Sequence, residues 1–310
     1  MKDHRGNTAY RLLRAAPVLL LLLVPLRIAG QGAQQPQGSS WADEVLKQES
    51  YTSPPPELAD AVLAPRHLNV SLSNLSADKK WFLDEIGDGP VLMKTFSKPF
   101  HELGGVFVDY KANRARSLTI RSNVGIQLIS AADGTKRQIQ LPAGARVSNA
   151  TWSPDSTSIA FFVHSDDATH MWIAGVSDGK ARQLTKTPVL ATLVTNFEFT
   201  ADGKQIAVVV VPDGRAAMPP APSSPMGPTV KITDDARNRL RTFASLMTTT
   251  YEKELLEWHA TGQVALIDVQ KGTVKKIGAP AMVRSIDASP DGKYVRVTRV
   301  VKPFSYDVPV

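Results

Sequence analysis

Cysteine is absent from this chain of 310 residues, and that absence limits the chemistry available to it. Disulfide bonds, thiolate metal sites and cysteine nucleophiles are all excluded. Stability must therefore come from the burial of apolar surface and from the pairing of β-strands. After the first 33 residues the chain also lacks any compact cluster of Lys and Arg with interleaved aromatics, so the sequence predicts no nucleic-acid partner.

The first 33 residues have the three-part pattern of a secretory signal peptide. Basic residues precede an apolar run at Pro17 to Leu26, and a stretch of small residues follows at Ala29 to Ala33. The apolar run is only about half of the roughly 20 residues that cross a bilayer as a helix. We therefore predict cleavage between Ala29 and Gln34 and a periplasmic or secreted mature chain. A permanent single anchor is the alternative hypothesis.

Removal of this leader also changes the charge. The leader carries five basic residues and Asp3, so the formal net charge of +7 falls to +3. The basic character is mainly a targeting signal, and we expect no membrane partner after the leader is removed. Residues 34–58 are rich in Gln, Ser, Gly and Pro, which is typical of a flexible linker.

A tight turn recurs through the rest of the chain, residues 59–310. Its clearest form is Trp152-Ser153-Pro154-Asp155, which is followed by the apolar run Ile159 to Val163. Proline fixes φ and Asp accepts hydrogen bonds from the backbone that follows, so these residues reverse the chain between two strands. Further copies are at Phe199–Lys204 and Ala288–Lys293, with weaker ones at Leu75–Trp81 and Val108–Asn113.

The spacing of these turns predicts the fold class. Asp109 and Asp155 are 46 residues apart, and Asp155 and Asp202 are 47 apart. Asp202 and Asp291 are 89 apart, which is close to two periods with one copy obscured. Short strands repeated at such a period are typical of a β-propeller. We predict an all-β, incomplete β-propeller of about five to six blade units.

The obscured copy coincides with a predicted insertion at residues 212–259. Pro212 to Pro228 contains six prolines and cannot form a central strand. Asp234 to His259 has helical spacing, for which Asp234 or Asp235 is a candidate N-cap. The apolar side of this helix comprises Leu240, Phe243, Met247, Tyr251 and Leu255. The insertion packs on its own blade or serves as a lid or contact surface for a partner domain. Arg237, Arg239 and Arg241 would spread around the helix and could not form one anion clamp.

One catalytic pattern is present, at Gly175-Val176-Ser177-Asp178-Gly179. It matches the Gly-x-Ser-x-Gly nucleophile elbow, which requires a strand followed by a helix. Here strands are predicted on both sides, and Ser177-Asp178-Gly179 is typical of a hairpin. We therefore interpret it as a turn. The segment His164 to His170 contains two imidazoles and two carboxylates, but we interpret it as a solvated hairpin tip instead of a metal loop.

Three further histidines are candidates for catalysis, but none has a companion serine or acid at a diagnostic spacing. They are His67, His101 and His259. Asp84, Glu85 and Asp88 are predicted to form a polar loop. The sequence thus assigns no catalytic residue, no cofactor-binding residue, no metal ligand and no cofactor to this chain.

Several motifs, taken in order, carry a resemblance to a known family. The turns at Trp152–Asp155 and Ser289–Lys293 resemble those of propellers in prolyl oligopeptidase-family serine peptidases. The run Leu141–Val147, the Pro-rich insertion, Arg241–Leu246 and the closing Lys302–Pro309 together resemble bacterial relatives of the chloroplast glutamyl endopeptidase. This resemblance extends from about residue 60 to the end of the chain.

The resemblance implies that the chain is the N-terminal propeller portion of an exported serine endopeptidase. In that family a C-terminal α/β-hydrolase domain supplies the catalytic Ser, Asp and His, so none is expected within these residues. The propeller would then act as a filter for peptide substrates, with cleavage after Glu, and the isolated chain would be inactive and prone to self-association. The alternative hypothesis is a non-catalytic periplasmic propeller resembling TolB, which works by binding other proteins.

Overall fold

The computed structural model describes residues 54–63, 70–224, 247 and 249–302, all within one unit, Pro54–Val310. The predicted leader and most of the predicted linker lie outside these residues. Helix α1 (Pro56–Leu63) begins inside the predicted linker, where proline suits the first turn of a helix. The other described helices are α2 (Met93–Phe96), α3 (Arg116–Ile120) and α4 (Thr250–Ala260). No helix in the described ranges has the length and apolar character needed to cross a bilayer.

Fifteen strands make up most of the regular structure within the described ranges. In chain order they are β1 (Trp81–Ile86), β2 (His101–Leu103), β3 (Val106–Asp109), β4 (Arg114–Ala115), β5 (Gly125–Ser130), β6 (Lys136–Gln138), β7 (Arg146–Trp152), β8 (Ser158–His164), β9 (Thr169–Gly175), β10 (Ala181–Gln183), β11 (Glu198–Phe199), β12 (Gln205–Val210), β13 (Thr261–Asp268), β14 (Val274–Ala288) and β15 (Val295–Arg299).

The strands form successive antiparallel sheets that we call blades. Blade 1 has the order β1-β5-β6, blade 2 has β7-β8-β9-β10 and blade 3 has β11-β12-β13-β14. Strand β14 continues beyond blade 3 and pairs with β15, which begins a fourth unit. The predicted all-β propeller architecture is confirmed. The described residues contain three blades and part of a fourth, compared with the five to six units counted from the sequence.

Blade 2 is buried on both faces. On β8, Ile159 and Phe161 pack in the cluster shared with blade 1, whereas Ala160 and Phe162 pack in the cluster shared with blade 3. All four residues are fully buried. Successive side chains of a strand point to opposite faces, so a continuous apolar run fills two cores at once. This is the packing expected when each sheet depends on its neighbours.

The recurring turn has the same hydrogen bonds in four places. A Ser or Thr hydroxyl donates to the Asp two residues later, at 2.6–2.7 Å, and accepts from the backbone N–H five residues later, at 2.9–3.1 Å. The hydroxyl donor holds the pKa of each carboxyl below its usual value. The Ser/Thr–Asp pairs are Ser76–Asp78, Ser153–Asp155, Thr200–Asp202 and Ser289–Asp291. The weak copy at Leu75–Trp81 is therefore confirmed.

The residue after each Asp has a left-handed backbone. Gly203 and Gly292 have φ of 67° and 69°, and Ser156 and Lys79 have φ of 60° and 62°. Glycine adopts this conformation without the steric penalty that a side chain introduces. The Ser156 hydroxyl also accepts a hydrogen bond of 3.2 Å from the Asp78 backbone N–H, which joins the turns of blades 1 and 2.

The proposed copy at Val108–Asn113 is a different kind of turn. The Asp109 carboxylate bonds to Arg114 and Thr119 instead of closing its own turn, and the segment joins β3 to β4 outside the blades. The 89-residue interval also has another explanation. Strand β12 pairs directly with β13, so the interval holds one blade unit that contains an insertion.

The predicted helix from Asp234 to His259 is not one continuous helix. Met247 lies outside any helix, and α4 begins at Thr250 with a capping box. The Thr249 hydroxyl accepts from the Glu252 N–H at 3.1 Å, and the Glu252 carboxylate accepts from the Thr249 N–H at 3.0 Å. Asp234 and Asp235, the predicted caps, lie outside the described residues. Residues 212–224 contain neither helix nor strand, as the prolines predicted.

Candidate functional site

Two insertions occupy equivalent places in blades 1 and 3. Each joins the strand that follows a recurring turn to the next strand of the same blade: one links β1 to β5 and carries β2–β4, α2 and α3, and the other links β12 to β13 and carries α4. In blade 2 the same connection is the short hairpin between β8 and β9. These connections lie at the opposite end of the strands from the four recurring turns. We call the two ends the insertion face and the turn face.

Arg114 fixes the blade 1 insertion to the blade 2 hairpin. Its guanidinium donates to the carbonyl oxygens of Ser165 at 2.9 Å and Ala168 at 3.1 Å. It also forms an ion pair of 3.3 Å with Asp109 and donates to Thr119 at 2.8 Å. Arg114 and Asp109 are 2% and 5% exposed, so this is a buried charge pair with its donors satisfied. Burial lowers the pKa of Arg114, and the charge of Asp109 opposes that change.

The segment His164–His170 is a hairpin, as predicted, but it is not solvated throughout. His164 is buried, and its two ring nitrogens lie 2.9 Å from the Ser148 hydroxyl and 3.0 Å from the Thr169 hydroxyl. Burial, followed by the charges of Arg114 and Arg146, lowers the pKa of His164 to about 3. Both nitrogens are therefore occupied, and the imidazole is neutral. In the described ranges no group of three or more His, Cys, Asp or Glu is placed to hold a metal ion.

The two insertions meet in an apolar seam. Leu103 and Val108 from the blade 1 insertion pack with Met247, Leu255 and Leu256 from the blade 3 insertion. All of these side chains are buried. The blade 3 insertion therefore packs against the blade 1 insertion as well as against its own blade. The sequence did not predict this contact between insertions.

Arg215 adds a polar connection to this seam. It donates to the Asn113 side chain at 2.6 Å and to the carbonyl oxygen of Trp258. Its guanidinium carbon lies 3.4 Å from the centroid of the Trp258 ring, which is a cation–π arrangement. Burial lowers the pKa of Arg215 to about 10. This side chain thus bonds to both insertions.

His101 and His259, which the sequence left unconnected, face each other across the seam. Their ring centroids are 5.4 Å apart, and His101 also stacks on Tyr110 at 4.5 Å. Both nitrogens of His259 and Nε2 of His101 are buried with no hydrogen-bond partner among the described residues. Burial, His101 and Arg215 lower the pKa of His259 to about 3. Burial also lowers the pKa of His101.

The environment of this histidine pair disfavours positive charge. The imidazoles stay neutral at physiological pH, and the adjacent Arg215 repels a further cation. In a catalytic triad a carboxylate orients the imidazole and stabilises its protonated form. Within the described part of the chain no carboxylate bonds to either ring. The two neutral rings therefore pack where the insertions meet, and with a pKa of about 3 His259 is a weak base.

Asp84, Glu85 and Asp88 do not form the predicted loop. Asp84 and Glu85 lie on strand β1, where Asp84 accepts from Gln127 at 2.7 Å and Glu85 accepts from the Ala150 backbone N–H at 2.7 Å. Asp88 follows the strand and pairs with Arg146. Because Ala150 and Arg146 belong to β7, the carboxylates of Glu85 and Asp88 connect blade 1 to blade 2, whereas Asp84 bonds within blade 1. Acidic residues at buried strand positions escaped prediction because their partners lie far away in sequence.

Ser177 lies in the turn between β9 and β10, as predicted. The Gly179 N–H donates to the Gly175 carbonyl oxygen at 2.9 Å, and the Lys180 N–H donates to the Asp178 carboxylate at 3.1 Å. Gly179 has a φ of 67°. A strand follows instead of the helix that a nucleophile elbow requires. The hairpin interpretation is confirmed.

A cleft of about 750 Å³ opens on the turn face between blades 2 and 3. Four carboxylates line it, and each accepts hydrogen bonds within its own turn, which leaves them committed to backbone structure. The four are Asp155, Asp178, Asp202 and Asp268. Lys180, Arg182 and Lys204 line the same cleft and offset most of the negative charge. His67, Arg237, Arg239 and Arg241 lie outside the described residues.

Comparison with solved structures finds partial overlaps with propeller-containing proteins. The acylaminoacyl peptidase of Pyrococcus horikoshii overlaps with 67% of this chain and 25% of its own, at 13% identity and a TM-score of 0.37. A putative TolB from Agrobacterium tumefaciens overlaps with 74% of this chain and 54% of its own, at 13% identity and the same TM-score. The fold assignment rests on the strand pairing described above.

Sequence comparison is more specific, although no protein-family model matches the chain. A probable chloroplastic glutamyl endopeptidase of Oryza sativa subsp. japonica is 34% identical over 272 residues, which is 84% of this chain. The corresponding Arabidopsis thaliana protein is 31% identical over 281 residues, or 86% of this chain. The chain spans 28% of the length of each of these relatives. The predicted resemblance is thus confirmed: the chain is related, over most of its length, to part of the glutamyl endopeptidases.

Proposed function

We propose that this chain is the non-catalytic propeller portion of an exported serine endopeptidase and acts as a filter for peptide substrates. The observation that carries the proposal is the 34% identity to a probable glutamyl endopeptidase over 84% of the chain. By the resemblance, an α/β-hydrolase portion of such a protein would supply the nucleophile, the base and the acid. The leader-like first 33 residues support export to the periplasm or beyond.

The insertion face supports the filter role. Two insertions meet over the end of blade 2, and a buried ion pair and an apolar seam hold them in place. A rigid wall of this kind limits which polypeptides reach a neighbouring active site, because only flexible segments can pass a fixed opening. We place the substrate-facing surface of the propeller on the insertion face.

The test of the proposal is whether the purified chain hydrolyses peptides containing Glu or Pro. We expect no turnover and no labelling by a serine-reactive phosphonate, since Ser177 lies in a hairpin. Ser177→Ala is the matched variant and should behave as the parent chain does. Turnover that persists through purification and disappears in Ser177→Ala would refute the proposal.

The binding-module hypothesis makes a different prediction for the same sample. A propeller that works by binding other proteins should be a monodisperse monomer that unfolds cooperatively. A filter portion that depends on further blades should self-associate, because unpaired strand edges recruit one another. Sedimentation velocity and thermal unfolding of the inactive chain distinguish the two.

A further inference from the structure

The blade 1 insertion exposes an unusual amount of apolar surface. Helix α2 has no buried residue, and Leu92, Met93 and Phe96 are 67%, 75% and 51% exposed. Phe100 and Phe107 lie beside each other, with ring centroids 5.8 Å apart, and are 36% and 43% exposed. We call these five residues the aromatic patch. Single exposed apolar residues are ordinary, but a contiguous group of them marks a binding surface.

Arg116 lies at the centre of the patch. Its guanidinium carbon is 3.9 Å from the ring centroid of Phe100 and 4.8 Å from that of Phe96, and it donates to the Phe96 carbonyl oxygen at 2.6 Å. Two rings and a carbonyl therefore hold the side chain in place. Among the described residues no carboxylate pairs with it. Its remaining donors are available to a ligand in a fixed geometry.

A cleft of about 410 Å³ adjoins the patch at Phe107 and Arg116. Its apolar lining includes Val106, Ile120 and Leu193, and its second cation is Arg121. Among the described residues no acidic side chain lines the cleft. The cleft thus offers an apolar floor and two guanidinium groups, neither of which pairs with a carboxylate in the described part of the chain.

Thr192 gives an independent sign that the cleft takes a polar ligand. It lines the cleft and is 3% exposed, and its hydroxyl has no hydrogen-bond partner among the described residues. A buried hydroxyl without a partner is unfavourable, and most such groups in proteins are bonded to something. The hydroxyl is itself shielded from solvent, so a ligand group in the cleft reaches it only if the lining side chains shift.

The charge around the patch is one-sided. Between residues 91 and 121 the exposed or half-buried charged side chains are Lys94, Lys98, Lys111, Arg116 and Arg121, against Glu102 alone. The remaining pair, Asp109 and Arg114, is buried and self-neutralising. Of the five cations, Lys98 pairs with Asp166. The surface therefore complements a ligand that is both acidic and apolar.

We propose that the aromatic patch and its cleft bind an extended, acidic polypeptide segment in which apolar side chains alternate with Glu or Asp. An apolar side chain of the segment enters the cleft, and its carboxylates pair with Arg116 and Arg121. This inference rests on the proposed function, since it names the class of peptide that the filter would retain. A concave cleft with a buried hydroxyl suits a peptide better than the flat surface of an anionic bilayer.

Fluorescence anisotropy with the full chain tests the proposal. The probe is a short fluorescein-labelled peptide in which Glu alternates with Leu and Phe, and a second probe has Lys in place of each Glu. We expect the acidic probe to bind and the Lys probe to bind at least about tenfold more weakly. Arg121→Glu and Phe107→Ser should each weaken binding of the acidic probe at least about tenfold.

Lys180→Glu is the control for Arg121→Glu. It introduces the same change of charge at an exposed position on the turn face, and it should alter the dissociation constant by less than about twofold. Thermal unfolding of each variant shows that the fold is intact. Equal affinity for the two probes, or equal effects of Lys180→Glu and Arg121→Glu, would overturn the proposal.

Flotation with phosphatidylglycerol vesicles examines the competing occupant. Binding to vesicles that Phe107→Ser abolishes, together with no displacement by the acidic probe, would show that the patch is a membrane surface and that the proposal is wrong. The two proposals fail separately. Hydrolysis by the chain refutes the proposed function. Absence of hydrolysis together with no binding of the acidic probe refutes only this inference.

Discussion

The turn face and the insertion face of this propeller are stabilised in different ways. On the turn face, four copies of one Ser/Thr–Asp turn make the same hydrogen bonds between residues two to five apart in sequence. On the insertion face, Arg114 bonds to residues 51 and 54 positions away, and Arg215 bonds to one 102 positions away. Local hydrogen bonds close each repeated turn, although the Ser156 hydroxyl also joins two of the turns. The insertion face depends on long-range contacts that occur once.

Breaking the buried ion pair between Asp109 and Arg114 should cause the largest loss of stability on the insertion face relative to the turn face. We expect Asp109→Ala to lower the free energy of unfolding by about 3–5 kcal/mol, because Arg114 is left charged and buried without a counter-charge. The exposed pair between Lys204 and Asp202 on the turn face is the control. Lys204→Ala should cost less than about 1 kcal/mol. Denaturant unfolding measures both, and similar losses would contradict the comparison.

A double variant sharpens this prediction. Asp109→Leu with Arg114→Met replaces the pair by apolar side chains of similar size and leaves no buried charge. We expect it to be more stable than Asp109→Ala alone, because removing both charges avoids the desolvation penalty of one. The hairpin carbonyls of Ser165 and Ala168 lose their donor in this variant, so full recovery is not expected.

Acid should destabilise the insertion face before the turn face. The folded pKa values of His164 and His259, both about 3, are lower than the value of about 6.5 for an unfolded histidine. Their contribution to stability is complete above about pH 6.5 and is lost as the pH falls from there towards about 3. Each histidine should reduce stability by about 1.4 kcal/mol per pH unit in that range.

Unfolding at a series of pH values, with His259→Leu and His164→Gln as variants, measures this effect. The groups facing His259 are His101, Arg215 and Trp258, and those facing His164 are Arg114, Arg146, Ser148 and Thr169. Each substitution should flatten the pH dependence between pH 4 and 6.5. A slope that neither variant changes would assign the acid sensitivity to other groups.

The smallest effects are expected on the turn face. Ser153→Ala removes the donor to Asp155 and the acceptor for the Ser158 N–H in a buried turn, which should cost about 1–2 kcal/mol. Ser289→Ala removes the same bonds where water can replace them, so we expect about 0.5 kcal/mol. Denaturant midpoints compare the two. If both variants lose the same unfolding free energy, burial does not determine how much each repeated turn contributes to stability.

The repeated part of the fold could be predicted from the sequence because its signals are local. The Ser/Thr–Asp turns, the apolar run at Ile159–Val163 and the hairpin at Ser177 all depend on residues within a few positions of each other. The seam could not be predicted. His101 and His259 lie in different insertions and meet where those insertions pack together, and nothing local to either residue indicates the other.

The spacing between Asp residues also gave one wrong prediction, because an insertion places Asp109 at the distance of one repeat from Asp155. The 46 residues between Asp109 and Asp155 reflect the length of the connecting segments. The Asp109 carboxylate pairs with Arg114 and does not close a repeated turn. Helical periodicity from Met247 to Leu255 reflects a shared apolar cluster, while the helix itself begins only at Thr250. The capping box of Thr249 and Glu252 was the local signal that would have placed its start.

The insertion between β12 and β13 has a consequence for the order in which the molecule folds. The strands of blade 2 are joined by hairpins of a few residues. Strand β12 pairs with β13 across a long insertion, and closing such a long connection costs more conformational entropy. Local pairings form fastest, so we expect blade 2 to form first and its neighbours to dock afterwards on its two apolar faces. The blade with the shortest connections would thus be the template for the ones that carry the specialised surface.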